Sequence, residues 1–431
     1  MPRAKRSAFI ALGLFSALGV VFSAVSASDF IAHLDRQVHA ITCSYVPGLA
    51  AADITGSSGC YAVLMSPYSS VLRTWTWGGI PIALPALSVF AYLLFRALDV
   101  WWRKEEGNRG ETGFLVVATL LPVATSAVYY WISVSVIGTV CKLCVGIYVA
   151  SAGTLLAALW AHLGGRGEPE EERADRGEER PRRGEEGRSR RGEEAPQGAG
   201  GARYGLYFLE GVAFVVLPLL LYLALKPSYS VALGDCGELR RPEDRYGVRI
   251  PLGGRRGGVA ALEVVDPLCP ACKNFSDRLQ ASGLGGRLNL EGILFPLDSG
   301  CNWMLNEPLH PGACEASEAL LCAGDQAPRV LAWIFAHQKE LREMAEADPE
   351  RLVAALKRQF PSLGSCIGSA TVKTRLNRSL RWAVSNSLPV LAPQLYVGKQ
   401  KLCDEDTDLG LEYALTRALE SASGTRTAEA R

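Results

Sequence analysis

The chain has 431 residues, enough for two or three domains, and its 45 Lys and Arg against 44 Asp and Glu leave a formal net charge of +1. No global field draws it to nucleic acid, and none is expected among its partners. Its 12 cysteines include two C-x-x-C pairs, a set that means zinc or transient redox work in a reducing cytosol and disulfides outside it.

Crossing a bilayer as a helix takes about 20 mostly apolar residues, and five stretches stay free of charge for long enough. The first is Ser7–Ser28. The second lies between Arg73 and Arg96, centred on Gly79–Phe95, and the third between Glu111 and Lys142. Leu143–Gly165 is the fourth, and Tyr204–Leu225, interrupted by Glu210 and Pro218, is the fifth. All five read as transmembrane. Glu210 lies under two turns from Arg203, which suits a carboxylate near the interface better than a functional acid at bilayer depth. Pro218 is tolerated in a membrane helix and need only kink it.

Lys and Arg beside the crossings set the orientation. Arg3, Lys5 and Arg6 precede the first run, Arg103, Lys104 and Arg109 follow the second, and an Arg-rich segment follows the fourth. With these three on the cytoplasmic side, the five crossings alternate, and residues 29–72 and everything after Leu225 lie outside. A signal peptide cleaved near Ala24–Ser28 is the competing reading of the first run; either way the loop that follows is outside. Gly164–Ala202 is mixed in charge and rich in Gly and Pro, without apolar periodicity, and is expected to be a disordered cytoplasmic tether. The expected organisation is a four-helix transmembrane domain over 1–163, the charged linker over 164–203, a fifth transmembrane helix over 204–226 and an extracytoplasmic domain over 227–431.

Two cysteines, Cys43 and Cys60, fall in the first outer loop. Cys60 opens the run Cys60-Tyr-Ala-Val-Leu-Met-Ser66-Pro67-Tyr68, and Gly79-Ile80-Pro81 leads into the next helix. Cys141-Lys142-Leu143-Cys144 opens the fourth run. On a helix its two sulfurs sit one turn apart, about 4.5 Å along the axis, at an N-terminus whose dipole favours a thiolate. Cys144 is the deeper of the two, nearer the lipid phase that holds quinones, and Tyr148 follows one turn later on the same face. Against this stands the use of Cys as a small buried hydrophobe.

Beyond the fifth helix, Val259–Asp266 reads as a buried strand running into Cys269-Pro270-Ala271-Cys272, which should open a helix. A strand followed by C-x-x-C at a helix N-terminus is the thioredoxin arrangement. There the first thiol, Cys269, is the attacking nucleophile, and Cys272 resolves the mixed disulfide. A second strand, Leu288–Phe295, precedes helical sequence to about Lys357, and then comes Leu391-Ala392-Pro393-Gln394. Zinc would need a second ligand pair at suitable spacing, whereas the other C-x-x-C is in the membrane; no metal is expected. Cys236, Cys301, Cys314, Cys322, Cys366 and Cys403 form an even set, which points to structural disulfides of open pairing. Cys314 and Cys322 lie two turns apart on one predicted helix, too far to bridge each other.

The loop cysteines, the Ser-Pro-Tyr after the second of them, and Cys141-Lys-Leu-Cys144-Val-Gly-Ile-Tyr148 together resemble the vitamin K epoxide reductase family. The similarity is to its bacterial members that carry a fused DsbA-like thioredoxin domain. The resemblance implies a membrane all-α bundle, a four-helix core plus the fifth helix, followed by an α/β thioredoxin-like domain with a helical insertion. It implies Cys141 and Cys144 as the redox-active pair, with Cys144 beside a quinone (ubiquinone or menaquinone) and Cys43 and Cys60 as a shuttle pair. Ser66 falls at a polar position near the active site, Tyr148 at one lining the quinone pocket, and Pro393 at a cis-proline facing the Cys269/Cys272 motif. As residues alone, Ser66 serves equally as a helix cap and Tyr148 as an interface aromatic. Sixteen residues separate Cys43 from Cys60, a longer spacing than the family usually has, at little cost in closure entropy.

The leading expectation is a quinone-linked thiol oxidase of the bacterial inner membrane, with its N-terminus cytoplasmic and its thioredoxin-like domain periplasmic. Its partners would be secreted or periplasmic proteins with reduced cysteines and the membrane quinone pool. A membrane thiol reductase or isomerase system uses the same chemistry. A non-catalytic, membrane-anchored chaperone of thioredoxin fold is the third reading, and it leaves Cys141 and Cys144 unexplained.

Overall fold

The computed structural model describes residues 3–35, 59–105, 108–164, 199–226, 236–255, 257–403, 407 and 409–429. The chain divides into two compact units, residues 1–31 with 81–226 and residues 32–80 with 227–431. Among the described residues, five helices are long and apolar enough to cross a membrane, and they fit a membrane helical bundle. These are α1 (Arg3–Ala32), α2 (Ala83–Trp102), α3 (Arg109–Ile132), α4 (Lys142–Leu163) and α5 (Ala199–Leu225).

Within the first unit α1 packs into a core shared with three other helices. Its Ala8, Phe9 and Leu12 pack with Ala97 and Val100 of α2, Leu115 of α3 and Ala157, Ala158 and Ala161 of α4. Small residues let the backbones approach, because apolar side chains gain nothing by leaving lipid and packing must hold the helices. At Gly153 an added Cβ would sit 2.3 Å from the Phe15 ring. Helix α5 is pinned to α2 by the Tyr92 hydroxyl, which donates to the Tyr207 carbonyl at 2.7 Å.

Charge is placed differently from the expected boundaries. Helix α2 starts after Gly79–Pro81, since Ser70–Val71 and Ile80–Pro81 pair as a two-stranded ribbon. It then runs past Arg96, whose fully buried guanidinium meets Glu111 of α3 at 2.8 Å and Asp99 at 2.6 Å. Partnered in this way, the arginine no longer marks an end. Glu210 reaches the same group at 3.9 Å, so it belongs to an ion cluster. Helix α5 begins at Ala199, earlier than the expected Tyr204, with Arg203 tied to Glu105 at 2.5 Å. Most of the expected linker, residues 165–198, lies outside the described residues.

The second unit contains a five-stranded mixed sheet and helices, an arrangement compatible with a thioredoxin-like fold. Its strands are β1 (Ile250–Gly254), β2 (Val259–Val265), β3 (Leu288–Leu294), β4 (Gln394–Val397) and β5 (Gln400–Lys401), in the spatial order β1-β3-β2-β4-β5. The central pair β2 and β3 is parallel, joined by the crossover helix α6 (Pro270–Ser282), and the remaining pairs are antiparallel. Between β3 and β4 come α7 (Ala313–Ala323), α8 (Ala327–Ala336), α9 (Gln338–Ala347), α10 (Pro349–Gln359) and α11 (Ala370–Ser385). A last helix, α12 (Leu411–Glu429), closes the chain.

Strand alternation sorts the core into two faces. Leu262, Val264 and Tyr396 join the large cluster formed with the inserted helices. Ala261, Leu395 and Val397 face the other way, packing with Phe275 and Leu279 of α6 and with Leu411, Leu415 and Leu419 of α12. The ribbon residue Arg73 contributes to this unit too, its Nη1 lying 3.0 Å from the buried Glu412 carboxylate of α12. Among the described residues, three disulfides staple the segment after α5: Cys236–Cys403, Cys301–Cys314 and Cys322–Cys366.

Candidate functional site

In the first unit, α3 runs into a π-helical turn over Ser133–Ile137, a feature frequent at functional sites. Gly138 follows with φ 74°, a left-handed value that ends the helix without a Cβ clash. The Ser133 hydroxyl donates to the Thr139 carbonyl at 2.8 Å, and the chain reaches Cys141 in an extended conformation, φ −83° and ψ 130°. Cys141 is therefore the N-cap of α4. The backbone N–H of Cys144 donates to its sulfur at 3.4 Å. Cys141 is buried and Cys144 half-buried, and both are free thiols. One turn on, Tyr148 meets Tyr130 of α3 edge to face at 6.0 Å.

In the second unit the same local design recurs. Cys269 is the extended N-cap of α6, φ −73° and ψ 120°, and Pro270 takes the first helical position, where a missing N–H costs nothing. Gln338 of α9 donates from Nε2 to the carbonyls of Cys269 at 3.0 Å and Pro267 at 3.1 Å. The Ala392–Pro393 peptide is cis, and the Ala392 carbonyl lies 3.5 Å from the Cys269 sulfur. Cys269 keeps 4 % exposure and Cys272 none, so of the two thiols only the first reaches the surface.

The electrostatics favour the same division of labour. The hydrogen bond from Cys272 holds the Cys269 thiol below its ordinary range, against burial and the charge of Asp266, with His310 adding to the lowering. Burial pushes the Cys272 thiol well up, and its bond to Cys269 and the negative charges of Cys269, Asp266 and Glu263 add to this. A low first thiol and a high second one are what an attacking and a resolving cysteine require.

Four residues near this pair were missed in the sequence. Glu263 sits in the middle of β2, opposite Gly292 and Leu395, and is 3 % exposed. Burial first, and then the charge of Cys269, pushes its carboxyl up to about 8. Asp266 ends the same strand. It accepts from the Leu268 and Leu297 N–H groups, both at 2.8 Å, and from His310 Nδ1 at 2.7 Å. Gln338 is the fourth. An acid inside the apolar run Val259–Val265 was the available signal for Glu263; His310 and Gln338 arrive from separate elements and left none.

The other expected residues stand as follows. Cys60 is buried and disulfide-bonded; Cys43 lies outside the described residues. Ser66 is buried, donates to the Val63 carbonyl at 2.7 Å and accepts from the Tyr68 N–H at 3.3 Å, bonds that shape the turn after the short helix Gly59–Leu64. The structure thus brings Cys141 to Cys144 within one unit, and Cys269, Cys272 and Ala392 together within the other.

Residues 10–159 match the vitamin K epoxide reductase family. The matched stretch contains Cys43, Cys60, Ser66, Cys141, Cys144 and Tyr148, and ends before the linker. Members of the vitamin K epoxide reductase family are thiol–disulfide oxidoreductases with a quinone as electron partner. The Cys269/Cys272 domain lies beyond the match. No curated protein and no solved structure matches the chain.

Proposed function

We propose that the protein is a quinone-linked thiol oxidase that makes disulfides in secreted proteins. One observation carries the reading: among the described residues the free cysteines are the two C-x-x-C pairs, each beginning at the N-cap of a helix. Apart from the loop cysteine Cys60, the oxidised cysteines among the described residues are the stapling pairs of the second unit, and the free ones stand at helix N-termini.

In the proposed sequence, a client thiolate attacks the Cys269 sulfur of an oxidised Cys269–Cys272 pair, and Cys272 leaves and takes a proton. The second client thiol loses its proton, attacks the client sulfur of the mixed disulfide and releases Cys269 as a thiolate. The client gains a disulfide, and the pair holds two electrons. Exchange with Cys43–Cys60 and then with Cys141–Cys144 moves those electrons inward, one dithiol becoming a disulfide at each step. A quinone supplies the terminal two-electron, two-proton acceptor. Half-buried Cys144 and Tyr148, flanked by the exposed Tyr130, Val145 and Val149, fit such a ring on a lipid-facing surface. With the basic flanks in the cytoplasm, the Cys269 domain works on the outer face of a bacterial inner membrane.

The test is Cys144→Ser in the purified full-length chain, given reduced client and quinone. At most a limited stoichiometric oxidation should occur, with no quinone reduction. Steady quinone-dependent turnover in that variant would overturn the path.

A further inference from the structure

His310 stands in the loop between β3 and α7, far in sequence from the Cys269 motif, yet it is fixed beside it. Its Nδ1 lies 2.7 Å from Asp266 Oδ2, and both side chains are buried, at 8 % and 0 % exposure. Asp266 in turn caps the turn into the motif, accepting from Leu268 N–H, while the Cys269 N–H donates to the Asp266 carbonyl at 3.2 Å.

The loop itself is over-determined. Asp298 accepts from the Gly300 N–H at 2.9 Å and the Gly312 N–H at 2.8 Å. Gly312 has φ 85°, and a Cβ there would sit 2.6 Å from Ala345 Cβ, so the loop lies directly on α9. The Cys301–Cys314 disulfide closes its two ends. His310 is held within this loop by its own backbone, its N–H donating to the Leu297 carbonyl at 2.9 Å and its carbonyl accepting from the Ala313 N–H at 3.1 Å. The intervening Pro270 and Ala271 carry no charge, so the motif has no cation of its own.

We propose that His310, held by Asp266, is a positioning residue that supplies the cation stabilising the Cys269 thiolate as a leaving group. The inference rests on the thiol-oxidase reading. In the release step above, the electron pair of the breaking S–S bond stays on Cys269 sulfur, and the imidazolium balances it without giving up its proton. The charged groups around His310 are Asp266 at the end of β2, Cys269 at the head of α6 and Arg342 on α9. Burial opposes a charged His310, but the hydrogen bond and charge of Asp266 outweigh it and raise the imidazole above its ordinary value. Glu263 is mostly protonated at neutral pH, which leaves Asp266 as the carboxylate that raises the Cys269 thiol, and it is this charge that the imidazolium offsets.

The full-length chain in detergent is reduced at Cys269 and Cys272 with limiting dithiothreitol, leaving the three stapling disulfides intact. Alkylation of Cys269 by iodoacetamide is then followed peptide by peptide across pH. In the wild type the rate should rise in two steps. The second step marks loss of the His310 proton, because a thiolate freed of its cation is the stronger nucleophile. In His310→Gln, which keeps a hydrogen-bond donor for Asp266, the first step should move to higher pH and the second should vanish. The glutathione equilibrium should shift about tenfold toward the Cys269–Cys272 disulfide, equivalent to about 30 mV, with the two chains converging at high pH. A single step in the wild type, or a folded His310→Gln with unchanged profile and equilibrium, would overturn the proposal. Failure of the oxidase reading would show instead as no client oxidation by the wild type with quinone, whatever the alkylation profile.

Discussion

Glu263 and Cys272 are sealed from solvent together, at 3 % and 0 % exposure, and Glu263 Oε1 has no hydrogen-bond partner. A carboxylate in that position would be costly, so the group keeps its proton up to about pH 8 in the folded chain. The unfolded chain gives the proton up near the ordinary value of 4.5. Stability at this site is therefore complete below that value and is lost as pH rises toward 8. Glu263→Gln should stabilise the domain by an amount that grows from pH 5 to pH 8, reaching a few kcal/mol. Thermal unfolding midpoints of both chains across that range decide it; a pH-independent difference would remove the protonated carboxyl.

Cys272→Ser removes the resolving thiol and leaves the low-range nucleophile in place. Clients should accumulate as mixed disulfides on Cys269, visible on a non-reducing gel and lost in a Cys269→Ser, Cys272→Ser double variant. An absence of covalent complexes from the single variant, with the chain folded, would mean that the domain is no thiol oxidase.

The membrane runs and both C-x-x-C pairs were legible because each is written locally, in composition or in a four-residue spacing. The strand expected at Val259–Asp266 is found at Val259–Val265 because its apolar run is bounded by a charged residue and a proline. Hydropathy misplaced the start of α2, since it cannot separate the apolar ribbon residues Ile80–Pro81 from a helix. The pairing Cys322–Cys366 joins α7 to a segment 44 residues on, a distance that only the fold closes. His310 was invisible for the same reason: its partner Asp266 is 44 positions away, and nothing near it in the chain marks it.

Replacing both members of the Cys322–Cys366 disulfide with Ser tests the division into structural and redox cysteines. Opening a loop of 44 residues costs about 4 kcal/mol in the chain-entropy model. The variant should melt well below the wild type, while quinone-dependent turnover per folded molecule stays largely intact. A folded variant with its turnover abolished would place this pair in the relay.

The loop cysteine Cys60 is oxidised, whereas Cys141, Cys144, Cys269 and Cys272 are free thiols. A shuttle between the two C-x-x-C pairs must pass through both states, so Cys60→Ser should break the relay in the middle. Reduced client added to this variant should be oxidised only stoichiometrically, leaving Cys269 and Cys272 reduced. Cys141 and Cys144, which lose their electron supply but keep their acceptor, should become oxidised. The wild type, when quinone is depleted, should instead accumulate reduced thiols at all three pairs. Peptide-resolved thiol labelling after client addition reads each pair separately. If Cys269 and Cys272 reoxidise in Cys60→Ser as fast as in the wild type, electrons bypass the loop, and direct exchange between the two C-x-x-C pairs replaces the shuttle.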